Sequence, residues 1–317
     1  MSITKNHQGD KTLRTLCASV FPAKAVRSIT ELTEGMFNAA YRIDFTDGST
    51  SILKIAAAST DGLLSNEINL MQAEVAAMTL AHEHGIHGVA RVQYADFTRE
   101  HCSGPFFFMD VLPGRSLSSC GAELSVREQE HIMQQVGQLQ RRLSEIHGDA
   151  FCLMGDTRRF RDLFSMLRYM FTNVMRDAER RSVNVVISAD ELFSQLSRDR
   201  HAFDEVKQPS FVHWDMWEGN IFVDRGELSG IIDWERAMWG DPYMDDRFRR
   251  HNRRAAFLEG FGQTVFTDAE MRRILWYDVF LYITMIVECT YRQYEGGEAS
   301  WARLKQRLNA SWTELKD

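Results

Sequence analysis

The chain has 317 residues, enough for about two domains or lobes and a sizeable core. Its 44% hydrophobic and 26% charged content excludes collagen-like, low-complexity and largely disordered classes. A formal charge of −7 argues against DNA or RNA as the main partner and suits cationic ligands better, although solubility alone produces the same sign.

The five cysteines, Cys17, Cys102, Cys120, Cys152 and Cys289, are odd in number, scattered and free of any C-x-x-C pattern. Buried free thiols are therefore expected, not a disulfide framework or a zinc site. The N-terminal MSITKNHQGDKTLRTLC has no apolar core of a secretory signal. The most apolar late stretch, residues 274–287, is shorter than a membrane span and contains Asp278. A cytoplasmic location with no membrane partner is the expectation.

In chain order, β-favouring runs over 41–45 and 50–55 flank Asp47-Gly48, which predicts an antiparallel hairpin. Residues 66–84 place Ile68, Met71, Val75 and Met78 on one stripe and end before Gly85, which predicts a helix. Runs over 90–94 and 105–111 complete a small β-rich lobe. Pro113-Gly114 marks a turn, and helices dominate beyond it. Ser125 and Glu128 form a capping-box pattern for a helix that runs to His147 and stops at Gly148. Further helices are predicted over 159–181, 189–206, 246–261, 268–294 and 298–315. The Arg-rich stretches 158–161 and 247–254 read as solvated helix faces. The lobes are expected to divide into residues 1–111 and 112–317.

Residues 211–241 break the helical pattern. Two apolar strand-like runs, 221–223 and 230–232, are separated by Asp224-Arg225-Gly226. His213, Asp215 and Asn220 precede the first run, and Asp233 follows the second. A hairpin here brings Asp215, Asn220 and Asp233 to one end of the strand pair. Such convergence suits magnesium-assisted phosphoryl transfer. Mg2+ takes hard oxygen ligands alongside waters and phosphate oxygens, so one carboxylate and one amide suffice. A second carboxylate is then free to orient an attacking hydroxyl and accept its proton.

The spacing H-x-D-x-x-x-x-N followed by I-I-D, with Gly240-Asp241-Pro242 and Asp245 downstream, resembles the aminoglycoside phosphotransferase family of the protein-kinase-like fold. The resemblance spans about residues 32–245. It implies an α+β, bilobal fold with a small N-terminal antiparallel sheet lobe bearing a helix and a larger, mostly helical C-terminal lobe. It implies Asp215 as catalytic base, Asn220 and Asp233 as metal ligands, and His213 and Asp241 as supports of the catalytic loop.

In the N-terminal lobe the resemblance implies that Lys54, in the apolar run 51–55, reaches the nucleotide phosphates and is held by Glu74, with Glu67 as the alternative. The loop Gly35-Met36-Phe37-Asn38-Ala39-Ala40-Tyr41 is similar to the family's G-x-x-N-x-x-Y form and implies nucleotide contacts by Gly35 and Asn38. The connector FFFMDVLPG implies docking of the nucleotide base near Met109 and Val111. Trp214 departs from the pattern, since the family usually has glycine there. His147-Gly148-Asp149 spells the family's commoner H-G-D. Met154 stands where asparagine is required and no I-I-D follows, so it reads as a helix terminus and turn.

The implied activity is transfer of the γ-phosphoryl group of ATP or GTP to a hydroxyl of a small, cationic, aminoglycoside-like acceptor. Glu218, Glu235 and the Asp245-Asp246 pair could attract ammonium groups, and ordinary ion pairing accounts for them equally well. The alternatives are a metabolic kinase for a choline-like alcohol or sugar, and a non-catalytic nucleotide-binding pseudokinase module. A protein kinase fits less well, because Asp233 runs into Trp234-Glu235-Arg236 without D-F-G and A-P-E elements. The motifs set no oligomeric state.

Overall fold

The computed structural model describes residues 5–33, 35, 37–292 and 297–317, the side chains of 297–300 excepted. Met36 of the proposed phosphate loop and positions 293–294 of a predicted helix lie outside the described residues.

The chain begins with a helix that the sequence reading missed, α1 (Asp10–Val20), whose Leu13, Leu16 and Cys17 are buried. That spacing of three and four is an apolar stripe in an otherwise polar segment. Strands β1 (Val26–Leu32), β2 (Ala39–Phe45) and β3 (Thr50–Ile55) follow. The β2–β3 hairpin turns at Asp47-Gly48 as predicted, with Gly48 at φ 84° and the Ser49 N–H donating to the Asp47 carboxylate at 2.9 Å. Helix α2 (Leu70–Glu83), β4 (Val92–Asp96) and β5 (Phe106–Met109) complete an antiparallel sheet of order β1-β2-β3-β5-β4. Tyr41, Ile43, Phe45, Leu53, Phe106 and Phe108 pack against α1, while the alternate residues Ile52, Phe107 and Met109 join the core shared with α2. Both faces of β3 and β5 are thus covered, and each such side chain removed from water contributes about 1.5–3 kcal/mol.

The chain leaves this sheet through Pro113-Gly114, where Gly114 has φ +88° and a Cβ would lie 2.0 Å from the Val223 carbonyl oxygen. Only glycine fits there. The second part contains β6 (Arg115–Ser116), α3 (Leu117–Cys120), α4 (Val126–Ser144), β7 (Cys152–Leu153), α5 (Leu163–Arg180), α6 (Ala189–Arg198) and α7 (Arg200–Phe203). It continues with β8 (Ser210–Val212), β9 (Ile221–Asp224), β10 (Glu227–Ile231), β11 (Met238–Gly240), α8 (Ala255–Phe261), α9 (Asp268–Arg292) and α10 (Gly297–Lys316). Two small sheets, β10-β9-β6 and β7-β11-β8, hold the segment between β8 and β11 within this helical body. Ser125 and Glu128 form the expected reciprocal capping box on α4, worth about 1 kcal/mol. The free cysteines are buried, apart from half-buried Cys289.

Four expectations need correction. The predicted helix 246–261 is a single 3-10 turn, Asp246–Phe248, followed by irregular chain and the short α8. Arg247 and Arg249, read as solvated, are fully buried. Their guanidiniums are consumed by Glu218 and the carbonyls of Met216 and Tyr243, which pulls this stretch out of helical geometry. The predicted helix 189–206 breaks at Asp199, whose carboxylate takes the Trp276 indole N–H at 2.8 Å and pairs with Arg272 at 3.0 Å. Finally, α4 stops at Ser144, three residues before His147, which forms an isolated bridge with Ser210, so H-G-D lies beyond the helix terminus and bends at Asp149.

Helix α9 is long and apolar enough to cross a membrane, yet 72% of that window is buried inside the molecule, where it serves as a central core helix.

Candidate active site

The β9–β10 hairpin does what its sequence predicts. Ile221 pairs with Ile231, and the Ile232 N–H donates to the Asn220 carbonyl at 3.0 Å, so the residues just before β9 and just after β10 share one end. There the Asn220 amide nitrogen donates to the Asp215 carbonyl at 2.8 Å and to its carboxylate Oδ2 at 3.2 Å. The amide nitrogen is committed to the loop, which leaves the amide oxygen as the group able to serve a cation.

His213 ties the loop to the hairpin. Its Nδ1 accepts the Asp215 N–H at 3.2 Å, so its Nε2 carries the proton and donates to the Ile232 carbonyl at 3.1 Å. The ring is fully buried, edge-on to Trp234 with centroids 4.6 Å apart, and burial pushes its pKa down to about 4. It is a neutral brace. Burial pushes the Asp215 carboxyl the other way, up to about 7, against the opposing charge of Arg236.

Asp233 follows β10 in the left-handed region, φ 67° and ψ 61°, a conformation aspartate tolerates better than most residues. This turn swings its carboxylate toward the N-terminal sheet, and Oδ1 lies 2.5 Å from Lys54 Nζ. Lys54, inside β3, also contacts both Glu74 oxygens at 2.7 and 2.8 Å. Burial disfavours the ammonium, but Asp233, Glu74 and Glu235 outweigh it and raise its pKa. Glu67, the alternative partner, instead meets Arg236 and Arg292.

Carboxylate oxygens of Glu74, Asp233 and Glu235 lie within 4.8 Å of one another. Burial and the neighbouring carboxylates lift Glu235 to about 8. The donor set of Asp233 carboxylate and Asn220 amide is all oxygen and fits a hard divalent cation.

Asn38 reaches this cluster from the first hairpin, its amide donating to Glu235 at 2.8 Å. Gly35 is exposed in the loop before it, with open space around its Cα. Met109 ends β5, where its carbonyl takes the Ser51 hydroxyl at 3.1 Å, and half-buried Val111 follows in the connector.

Among the described residues, no hydrogen bond joins the Asp241 side chain to residues 213–220. Its carboxylate caps the turn Pro242–Met244 and binds Arg273 and Tyr277 of α9 at 2.7 and 2.8 Å. The residue that anchors the loop is Asp245, whose Oδ2 accepts the Trp214 N–H at 3.0 Å. It is the last residue of the same G-D-P-x-x-D element, so the signal was present and its role fell on the wrong aspartate. Trp214 has φ 78°, where glycine is favoured, and its indole lies 5.1 Å from the Arg236 guanidinium.

A family model described as the phosphotransferase enzyme family matches residues 28–273. The chain belongs to the phosphotransferase enzyme family. Among solved structures, a thermostable mutant of aminoglycoside phosphotransferase APH(4)-Ia is 15% identical with TM-score 0.64, covering 94% of this chain and 97% of that one. The GDP complex of wild-type aminoglycoside 2'-phosphotransferase-IIIa is 16% identical with TM-score 0.65, covering 96% and 99%. The streptomycin–ATP–APH(2")-IIa ternary complex is 15% identical with TM-score 0.61, covering 98% and 96%. No curated protein matches the sequence. At such identities the likeness gives the fold, which is the bilobal kinase-like fold of these phosphotransferases. Within that family fold, Lys54 of the N-terminal sheet lies 2.5 Å from Asp233, and Asn220 lies 3.2 Å from Asp215.

Proposed function

We propose that this phosphotransferase family member moves the terminal phosphoryl group of a nucleoside triphosphate, ATP or GTP, to a hydroxyl of a small acceptor. One observation carries the reading: Asp215, Asn220 and Asp233 converge from the catalytic loop and hairpin opposite a buried Lys54–Glu74 pair. A module that only binds nucleotide has no use for a half-buried carboxylate beside an amide and a second carboxylate. In one solved structure of the same fold, streptomycin and ATP are bound together.

Asp215 orients the acceptor hydroxyl and takes its proton, and its elevated pKa near 7 suits a base working at neutral pH. Asn220 holds Asp215 in place through its amide nitrogen. Asn220 and Asp233 would hold Mg2+, which neutralises developing charge on the phosphate oxygens when bound. Lys54, fixed by Glu74, positions the phosphates of the nucleotide, and Gly35, Asn38, Met109 and Val111 line the path for the rest of it. His213 keeps the loop and the strand end in register.

The test is phosphate transfer from ATP and from GTP, with Mg2+, to a panel of aminoglycosides, choline-like alcohols and sugars. Asp215→Asn serves as the blank, with turnover expected to fall at least a hundredfold and nucleotide affinity to stay within about threefold. Near-normal turnover in that variant removes Asp215 as base.

A further inference from the structure

The carboxylates around the catalytic loop are already engaged inside the protein. Glu218 pairs with Arg247 at 3.1 Å and Arg254 at 3.6 Å. Asp246 takes the Asn252 amide and lies 3.8 Å from Arg247. Asp245 is spent on the backbone N–H groups of Trp214 and Arg247, and Glu235 is buried under Asn38. Glu288 of α9 sits between Arg236 and Arg292. An ammonium-rich acceptor would have to break these contacts to gain its own.

What adjoins the loop instead is a largely apolar cavity. Of about 50 Å3, it is lined mostly by apolar side chains, Met154, Trp214 and Phe280 among them, together with Thr284 and with Asn66, Glu67, Glu235 and Arg236, whose polar groups are paired within the protein; it has room for roughly three to four water-sized groups. Trp214 immediately precedes Asp215, so one wall of the cavity is the residue next to the proposed base. The indole is held there by a left-handed backbone that costs a non-glycine residue about 1–2 kcal/mol. The Thr284 hydroxyl, in a side chain 6% exposed, has no hydrogen-bond partner among the described residues. A lone buried hydroxyl is unfavourable by about 1–3 kcal/mol until something satisfies it. A mostly apolar wall whose charged groups are already paired and whose Thr284 hydroxyl is not suits a ligand that is mostly carbon with one polar atom.

We propose that this cavity receives a short hydrocarbon branch of the acceptor, so that the substrate is a small alcohol bearing such a branch and not a polyamino sugar. The inference deepens the phosphotransfer reading and rests on it. It makes Thr284 and Trp214 residues that determine acceptor specificity.

The probes are the homologous 1,2-diols from ethanediol to hexanediol, with streptomycin as the cationic comparison. Binding is followed by saturation-transfer NMR, and transfer by phosphate incorporation with Mg2+ and both nucleotides. Affinity is expected to rise about fourfold for each methylene that enters the cavity. Thr284→Ile, which fills the cavity, should abolish that gain, whereas Thr284→Val, which keeps the shape, should preserve it. Nucleotide affinity, unchanged in both variants, reports that they fold.

A flat diol series in the unsubstituted protein overturns the proposal, as does a graded series that survives Thr284→Ile. Streptomycin phosphorylation without graded diol binding overturns the cavity assignment alone and leaves the phosphotransfer reading standing. Graded binding with no phosphate transfer to any probe overturns the phosphotransfer reading, and with it the description of the occupant as an acceptor.

Discussion

The Asp245 carboxylate accepts the Trp214 backbone N–H at 3.0 Å, and its other oxygen accepts the Arg247 N–H at 3.1 Å. The side chain is fully buried. It therefore fixes the residue before the proposed base and the turn that follows, across 31 positions of sequence. Asp245→Ala strands two buried donors, each costing about 1–3 kcal/mol. The expected result is a loss of about 2–6 kcal/mol in urea unfolding together with a large fall in turnover. Asp241→Ala should destabilise comparably through Arg273 and Tyr277, but spare kcat in the fraction that remains folded. Equal effects of the two variants on kcat would remove Asp245 as the loop's anchor.

Trp214→Gly sets two effects against each other. Glycine relieves the left-handed strain, a gain of about 1–2 kcal/mol, yet the indole leaves a core position where loss of a large aromatic side chain costs about 3–5 kcal/mol. Packing wins, so the variant should be less stable by about 1–4 kcal/mol in equilibrium unfolding. An increase in stability would mean that the wall around Arg236 and Phe280 contributes little.

The parts of this architecture legible in the sequence are those written in short-range chemistry. Asp47-Gly48 between alternating runs specifies its hairpin, Ser125 and Glu128 specify their cap, and the spacing from His213 to Asp233 specifies the hairpin that gathers the site. The burial of Arg247 and Arg249 was not legible, because their partners Glu218, Tyr243 and Ile274 are brought in by the fold and no periodicity announces them. For the same reason the sequence left open whether Glu218 and Asp246 are paired, and did not single out Glu288. Helix α1 was readable in the stripe of Leu13, Leu16 and Cys17, but its polar composition masked it.

Lys54 separates stability from chemistry. Its ammonium lies among Glu74, Asp233 and Glu235, so Lys54→Met leaves three crowded carboxylates without a counter-charge. Breaking a buried pair from one side costs about 3–5 kcal/mol, while replacing both partners by apolar groups is often neutral. Lys54→Met should unfold at markedly lower urea, and Lys54→Met with Glu74→Leu should recover at least half of that loss. Neither protein should turn over. The double-mutant cycle measures the coupling, and additive effects would show that Glu74 does not hold Lys54.

Asp278, in the middle of α9, provides a stability test on a residue outside the proposed site. Its carboxylate is fully buried, and the counter-charge of Arg249 is 3.8 Å away. Burial pushes its carboxyl up to about 6, against the opposing charge of Arg249. The folded state therefore keeps a proton that the unfolded chain releases near pH 4. Where the native state binds more protons, stability falls as pH rises, so this group lowers stability progressively between about pH 4 and 6 and holds it lower above that window. The effect is on the order of 2–3 kcal/mol. Asp278→Asn cannot release that proton, and Arg249 keeps its bonds to the carbonyls of Tyr243 and Ile274. Urea unfolding at pH 4.5 and at pH 7 should show the variant gaining on the unsubstituted protein at the higher pH. Parallel pH dependence in the two proteins would place the Asp278 titration in its ordinary range.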